Sequence, residues 1–228
     1  MTGHRTAVIV GGTGNVGSHC VRSFAEAGFQ VWALSRHAPE RDKLFEGRWR
    51  SCDVTDVAAF RTTLTEVLGH SGHATVLVYT PALPPDVDIG LASYPLEAWQ
   101  STFAVYVTGF LVAFQEGLRL MRPGGHIVAL GSAVTRFDGQ HLPPLFAGHY
   151  SAAKAALNEL CKWGRREAHR KGVLLSRVAP GALDVPYHRE APEERRPRAM
   201  LPVPVVVGQI VMAVNEAREL DLEIVAPA

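Results

Sequence analysis

Apolar residues along the chain fall into short runs that alternate with longer segments of helical periodicity. Short apolar runs rich in β-branched residues predict buried strands of a parallel sheet, and apolar positions three and four residues apart predict helices. The strands are predicted at 6–10, 30–36, 48–53, 74–79, 126–130, 173–178 and 221–225, and the helices at 16–27, 56–68, 96–121, 149–170 and 205–219. The alternation predicts an α/β fold, a doubly wound and mostly parallel sheet of about seven strands with helices on both faces.

The size and charge of the chain fit a single domain spanning 1–228. At 228 residues it is long enough to bury about 70% of its unfolded surface. The net charge of +1 argues against a dedicated binder of nucleic acid or of a membrane surface. No uninterrupted apolar stretch is long enough to span a bilayer, and the N-terminus runs into a strand without the regions of a secretion signal. We therefore expect a cytoplasmic protein.

The cysteines and histidines do not form a recognisable metal motif. Cys20, Cys52 and Cys161 are scattered, without a Cys-x-x-Cys pair, so we expect buried reduced thiols. The pair His70 and His73 falls in a predicted helix-to-strand loop, and the chain has no His-Glu-x-x-His. No metal site is predicted.

A glycine-rich turn, Gly11-Gly-Thr-Gly-Asn-Val-Gly17, joins the first strand to the first helix. Glycines allow the backbone to approach a pyrophosphate, and the N-terminus of a helix favours its negative charge. The turn therefore predicts a dinucleotide-binding, Rossmann-type domain. The predicted cofactor contacts in the turn are Gly11, Thr13, Gly14, Asn15, Val16 and Gly17.

The end of the second strand predicts which cofactor is preferred. The ribose 2′-hydroxyl is read about 20 residues beyond the glycines, where an NAD site usually has a carboxylate. This chain has Ser35 and Arg36 there instead. A guanidinium suits a 2′-phosphate in charge and geometry, so NADP(H) is preferred over NAD(H). A solvated arginine at a strand end is the alternative interpretation.

A tyrosine and a lysine, Tyr150 and Lys154, lie four residues apart in an alanine-rich helical segment, so both side chains leave the same helical face. A phenol has an ordinary pKa of about 10, and a fixed ammonium close by favours the phenolate. The pair is a candidate general acid, although such spacing also occurs on solvated helices. Ser132 follows the fifth strand at the edge where open α/β sheets bind ligands, and it is placed to bind a substrate oxygen.

Together, the glycine turn, Ser132, the Tyr150/Lys154 pair and the Pro180-Gly181 turn resemble the short-chain dehydrogenase/reductase family. The resemblance runs from about residue 6 to the last few residues. It implies an oxidoreductase of the ketoreductase type, in which Tyr150 gives a proton to the developing alkoxide. Lys154 would lower the phenol pKa and hold the nicotinamide ribose, and Ser132 would orient the substrate oxygen.

The same resemblance implies further cofactor contacts and an assembly. Asp53 and Val54 would lie against the adenine ring, Thr80 in the cofactor-side loop, and Pro180 and Gly181 beside the nicotinamide. The helices at 96–121 and 149–170 would pair across a two-fold axis in a homodimer or homotetramer.

The chain departs from the family pattern in three places. Tyr79-Thr-Pro-Ala82 replaces the usual Asn-Asn-Ala-Gly, and Tyr106 stands where many relatives have an asparagine that holds a proton-relay water. A phenol has no carbonyl acceptor, so the relay is either rebuilt or absent. Ser132 and Tyr150 are eighteen positions apart, where the family usually has about thirteen, which predicts an insertion at 139–146 that shapes the pocket rim or forms a neutral loop.

The segment 182–204, with five prolines, is predicted to be a mobile substrate lid. Its arginines could bind an acidic substrate or the cofactor phosphates, or form a solvated face. Apolar residues in the predicted pocket segments suggest a small-molecule substrate that is a bulky, partly apolar ketone of secondary metabolism. The lid arginines are Arg195, Arg196 and Arg198, and the apolar residues are Leu83, Phe137, Leu145 and Phe146.

Two other functions remain open from the sequence. Gly11, Gly14 and Gly17 have the Gly-x-x-Gly-x-x-Gly spacing that resembles the extended and atypical branches of the family. This spacing and Tyr106 are compatible with an NAD(P)-dependent isomerase, dehydratase or cyclase without net redox change. The altered loop at 79–82 is compatible with a non-catalytic protein that senses the cofactor, but retention of serine, tyrosine and lysine together argues against it.

Overall fold

A computed structural model describes residues 5–39, 48–70, 74–83, 89–135, 148–193 and 196–226. The chain forms one parallel sheet of seven strands in the order β3-β2-β1-β4-β5-β6-β7, which confirms the predicted doubly wound α/β fold. The strands are β1 Thr6–Val10, β2 Gln30–Ser35, β3 Trp49–Ser51, β4 Ala74–Tyr79, β5 His126–Leu130, β6 Leu174–Pro180 and β7 Asp221–Ile224.

Helices connect the strands and cover both faces of the sheet. They are α1 Asn15–Glu26, α2 Val57–His70, α3 Leu96–Phe103, α4 Gly109–Leu120, α5 Gly148–Arg170, α6 Pro186–Arg189 and α7 Val203–Asn215. Along β1, Ala7 and Ile9 face the layer of α1 and α7, while Val8 and Val10 face the layer of α2, α4 and α5. All five residues of β1 are buried, as expected for a central strand with helices on both sides.

The predicted single helix at 96–121 is interrupted by a π-helical segment, Ala104–Thr108, between α3 and α4. Tyr79 at the end of β4 explains why the helix is adjusted there. Its hydroxyl donates a hydrogen bond of 2.5 Å to the Val105 carbonyl, and a Cβ on Gly109 would lie 2.2 Å from that hydroxyl. The apolar pattern showed the helix, but the π segment depends on a contact with a distant strand.

The stretch Leu96–Leu120 is long and apolar enough, by length and composition alone, to cross a membrane. Half of its most apolar window is buried inside the fold. Core helices of globular proteins have the same property, and this one packs against α2 and the sheet.

The predicted lid at 182–204 is anchored at both ends in the described part of the chain. Leu183 and Leu201 form a bridge, and Leu201 and Val203 are buried against the α1 and α7 layer. The short helix α6 lies between these ends. Arg195 lies outside the described residues, so the arginine cluster and the movement of the lid stay predictions.

Candidate active site

The glycine turn lies at the carboxyl end of β1, where the sheet order reverses and where such sheets bind ligands. Gly11 has a φ of +81°, and a Cβ on it would lie 2.7 Å from the Pro81 nitrogen. A Cβ on Gly17 would lie 2.1 Å from the Gly11 carbonyl oxygen. Only glycine fits these two positions, so the backbone can pack closely where a side chain would block it.

The turn fits the pyrophosphate of a dinucleotide. Gly14 precedes the first residue of α1, and no side chain there caps the helix. The first N–H groups of α1 are therefore left for a ligand, and the helix dipole favours an anion. Thr13 is half-buried and Asn15 exposed beside the turn, whereas the Val16 side chain is buried in the core. Any contact of Val16 with a cofactor would therefore be made by its backbone.

The two residues of the predicted ribose site, Ser35 and Arg36, differ in their hydrogen bonds to the rest of the protein. The Ser35 hydroxyl donates to the His37 carbonyl at 2.9 Å and accepts the Trp49 indole N–H at 2.9 Å. Arg36 is exposed and makes no hydrogen bond within the described ranges. Ser35 thus shapes the end of β2, and Arg36 is the group available to a phosphate.

Asp53 is exposed and lies close enough to Arg36 to feel its charge. Its carboxylate accepts hydrogen bonds from the Thr55 backbone and hydroxyl, at 2.9 and 2.7 Å, and these bonds together with the charge of Arg36 lower its pKa. Asp56, rather than Asp53, caps the start of α2 through the Ala59 N–H. Asp53 therefore does not cap this helix.

The remaining predicted cofactor residues line the same edge. The buried Thr80 hydroxyl donates to the Val10 carbonyl at 2.8 Å, so it ties β4 to β1 and does not point freely toward a ligand. Val54 is buried in the core, and Gly181 donates its N–H to the Ile224 carbonyl at the end of β6. Pro180 is the last residue of β6.

Ser132, Tyr150 and Lys154 come together at the carboxyl end of β5. Tyr150 and Lys154 occupy the first two turns of α5, and Ser132 follows β5 directly. The Ser132 side chain lies close enough to the Tyr150 hydroxyl to lower the pKa of the phenol. The Lys154 ammonium is buried and donates to the Leu130 carbonyl at 2.7 Å.

The pKa of Tyr150 lies above its usual value, the opposite of the direction expected from Lys154. Burial is the largest cause, the neighbouring Tyr106 raises the pKa further, and the Ser132 hydrogen bond lowers it. The Lys154 Nζ lies 5.5 Å from the centre of the Tyr150 ring and donates its hydrogen bond to the backbone carbonyl of Leu130. Burial lowers the pKa of Lys154 to about 7. The net shift of the phenol pKa is therefore upward, opposite to the predicted direction, because burial outweighs the effect of any nearby charge.

Tyr106 lies beside this pair. Its ring meets the Tyr150 ring edge to face at 5.3 Å, and the Lys154 Nζ lies 4.5 Å over its centre. Its hydroxyl accepts the Leu83 N–H at 3.0 Å.

Sequence reasoning missed Asn158, one helical turn beyond Lys154. Its amide donates to the Thr135 hydroxyl at 3.0 Å, and that hydroxyl donates to the Ser132 carbonyl at 3.0 Å. The four-residue spacing from Tyr150 through Lys154 to Asn158 was the available signal. Asn158 holds the short 3₁₀ turn Ala133–Thr135 against α5 and so fixes the backbone of Ser132.

Several predicted features lie outside the described residues, including the insertion at 139–146, Phe137, Leu145 and Phe146. Leu83 is partly buried against the core.

Cys20, Cys52 and Cys161 are buried free thiols, as expected, and burial raises their pKa values to about 12, 11 and 12. Among the described residues no group of three His, Cys, Asp or Glu side chains could hold a metal ion.

Comparison with known proteins identifies the family. Residues 5–196 match the family model of short chain dehydrogenases. An uncharacterized oxidoreductase of Staphylococcus epidermidis is 24% identical over 189 residues, covering 80% of this chain and 79% of the relative. The 3-oxoacyl-[acyl-carrier-protein] reductase MabA of Mycobacterium avium is 27% identical over 202 residues, covering 88% and 75%.

Solved structures show the same fold. A short chain dehydrogenase from Burkholderia cenocepacia, solved in complex with NADP, matches with a TM-score of 0.81 and 21% identity over 96% of both chains. The family match covers most of the chain and includes the glycine turn, Ser132, Tyr150 and Lys154. The protein therefore belongs to the short-chain dehydrogenase/reductase family of NAD(P)-dependent oxidoreductases.

Proposed function

We propose that the protein is an NADPH-dependent oxidoreductase of the ketoreductase type. It reduces the carbonyl, or a related C=X group, of a small and partly apolar metabolite. The observation that carries the proposal is that Ser132, Tyr150 and the buried Lys154 meet at the carboxyl end of β5, with Ser132 close enough to Tyr150 to lower its pKa. This group lies at the same edge of the sheet as the glycine turn.

The cofactor preference rests on Arg36. It is the cation at the end of β2, and a guanidinium binds a phosphate through paired charge-assisted hydrogen bonds. The exposed carboxylate of Asp53 lies near enough to Arg36 for the arginine to lower its pKa. A 2′-phosphate would compete with this carboxylate for the guanidinium. The Burkholderia structure, which contains NADP, supports the same preference by analogy.

Tyr150 acts as the general acid. Because its pKa is raised, the phenol carries its proton at neutral pH and is a donor before reaction begins. A nicotinamide cofactor bound at this edge of the sheet would supply a hydride to the substrate carbon. The substrate oxygen takes the Tyr150 proton, so that C=O becomes CH–OH. Such positioned proton transfer is worth about 10²–10⁴ in rate.

Ser132 and Lys154 support that transfer in different ways. The Ser132 hydroxyl can bind the substrate oxygen beside Tyr150 and fix it for proton transfer. The Lys154 ammonium places a positive charge behind the Tyr150 ring, which stabilises the phenolate left after the proton has moved. Together they orient the substrate and lower the energy of the charged state.

The test is NADPH oxidation, measured by absorbance against a panel of ketones, quinones, enones and imines, with NADH in parallel and products identified by mass. We expect oxidation with at least one carbonyl substrate and a preference for NADPH. Product formed without NADPH consumption would replace the proposal with an isomerase, dehydratase or cyclase. Equal use of NADH would remove the assigned role of Arg36.

A further inference from the structure

We propose that Tyr106 is a positioning residue that holds the Lys154 ammonium against the face of its ring and so keeps this buried amine charged. The contact replaces the polar relay that many relatives have at this position. Its catalytic meaning rests on the proposed function, but the contact itself can be tested without substrate or cofactor.

The geometry around Lys154 supports this role. Within the described ranges, Leu130 provides the one hydrogen-bond acceptor of the ammonium, a backbone carbonyl at 2.7 Å. An ammonium has three donors, so this single bond replaces little of its hydration. The face of the Tyr106 ring lies 4.5 Å from the Nζ, within the range at which an aromatic quadrupole attracts a cation. In a buried site this attraction is stronger than at a surface.

The hydroxyl of Tyr106 does not face Lys154. It accepts the backbone N–H of Leu83 at 3.0 Å, in the loop after β4. Lys154 therefore contacts the ring of Tyr106 and not its hydroxyl. This hydrogen bond also fixes the tilt of the ring, because it anchors the end of the side chain opposite its Cβ.

The local backbone of the helix positions the Tyr106 ring next to Lys154. Tyr106 is in the π-helical segment Ala104–Thr108, which packs against α5. The Tyr79 hydroxyl binds the Val105 carbonyl within that segment, and Gly109 leaves room for the Tyr79 hydroxyl. Tyr79 and Tyr106, two of the positions at which the chain departs from the family pattern, therefore belong to one set of contacts. π segments often occur at functional sites.

The titratable groups facing Lys154 are Tyr106, Tyr150 and Cys161. Burial lowers the pKa of Lys154 to about 7, while Cys161 acts weakly in the opposite direction. Tyr150 carries its proton at neutral pH, so it adds no negative charge before reaction. The ring of Tyr106 acts against proton loss, because it favours the ammonium over the neutral amine.

The experiment measures the pKa of Lys154 directly by NMR of protein labelled with ¹³C-lysine. The chain has four lysines, Lys43, Lys154, Lys162 and Lys171, so the spectrum is simple, and Lys154→Arg identifies the signal. Tyr106→Phe gives the starting variant. Phenylalanines with one, two and three ring fluorines are then placed at 106, which weakens the quadrupole while the ring keeps nearly the same size.

We expect the pKa of Lys154 to fall at each step, by about half a unit to one unit over the series, because a cation–π contact is worth about 0.5–2 kcal/mol and one pKa unit equals about 1.4 kcal/mol. The control places the same fluorinated residues at Phe110, a buried residue four positions beyond Tyr106 that contacts Tyr79. These variants should leave the pKa of Lys154 unchanged. A Lys154 pKa that stays constant along the 106 series, or that moves equally with the 110 series, overturns the inference.

The pH profile of kcat/KM then separates the inference from the proposed function. If both hold, the limb governed by Lys154 moves with the NMR value in each variant at position 106. If the pKa of Lys154 moves but none of the substrates in the panel leads to NADPH oxidation, the contact is supported and the reductase is refuted. A constant pKa in an active reductase refutes the contact alone.

Discussion

At the scale of the residue, burial has more influence on the site than the pairing of charges. Tyr150 and Lys154 both have pKa values shifted toward their neutral forms, upward for the phenol and to about 7 for the amine. Sequence spacing correctly placed the two side chains on one face of α5, but it could not show how deep that face lies. The expected depression of the phenol pKa failed because the depth is set by β5 and by the π segment, which are distant in sequence.

Lys154 should make stability depend on pH. Its pKa falls from 10.5 to about 7 on folding, so between these values the unfolded chain binds more protons than the folded chain. The free energy of unfolding should therefore rise with pH from about 7 toward about 10.5, relative to Lys154→Met. Urea denaturation of both proteins across this range measures the difference. A difference that is constant with pH would show that Lys154 titrates normally.

Arg36 should decide the cofactor preference. Arg36→Ala removes one charge-assisted phosphate contact at an exposed site, so NADPH affinity should fall by about 10-fold or more while NADH affinity changes little. The exposed Arg122, which precedes β5 at the opposite edge of the sheet, provides the control, and Arg122→Ala should leave both affinities unchanged. Isothermal titration measures the dissociation constants. Equal losses for NADPH and NADH would mean that Arg36 supports the fold and does not read the phosphate.

At the scale of the element, most strands and helices could be predicted from periodicity, and their bounds agree with the structure within a few residues. The glycine turn could also be predicted, because its glycines have local causes, a positive φ at Gly11 and a close approach at Gly17. The π segment could not be predicted, since Tyr79 determines it from another strand. Thr80 and Ser35 were assigned to the cofactor site, but their hydroxyls bind the protein backbone, which composition cannot reveal.

Tyr79 and Gly109 should be coupled energetically. Gly109→Ala places a Cβ 2.2 Å from the Tyr79 hydroxyl and should destabilise the protein by about 1–3 kcal/mol. In a Tyr79→Phe background the clash is relieved, so the same substitution should cost less, with a coupling of about 0.5–3 kcal/mol. Gly69→Ala in α2, with no atom near its Cβ, is the control and should be neutral or slightly stabilising. Additive effects in the double variant would show that Tyr79 does not shape the helix.

At the scale of the whole molecule, the fold agrees with the family, and assembly stays a prediction. Two large apolar side chains on the outer faces of α3 and α5, Leu96 and Trp163, are 64% and 65% exposed. Both lie on helices that the family resemblance pairs across a two-fold axis, so they are candidate contacts of the predicted assembly. Cytoplasmic residence also stays a prediction.

Trp163→Glu should convert the expected homodimer or homotetramer into a smaller species. A charge at this position would be desolvated in an α5 pairing, and its cost would favour dissociation. Light scattering coupled to size-exclusion chromatography measures the mass. Tyr187→Glu, an exposed aromatic position in the lid segment, should leave the mass unchanged. A wild-type protein that elutes as a monomer would refute the predicted assembly.

The central claim is that Tyr150 transfers the proton, and Tyr150→Phe tests it most directly. The variant keeps the ring against Tyr106 and loses the hydroxyl that Ser132 contacts. With a substrate from the panel, kcat should fall by about 10²–10⁴ while the dissociation constant for NADPH stays within a few-fold of that of the wild type. Unchanged turnover in this variant, or a loss explained by weak NADPH binding, would contradict the account.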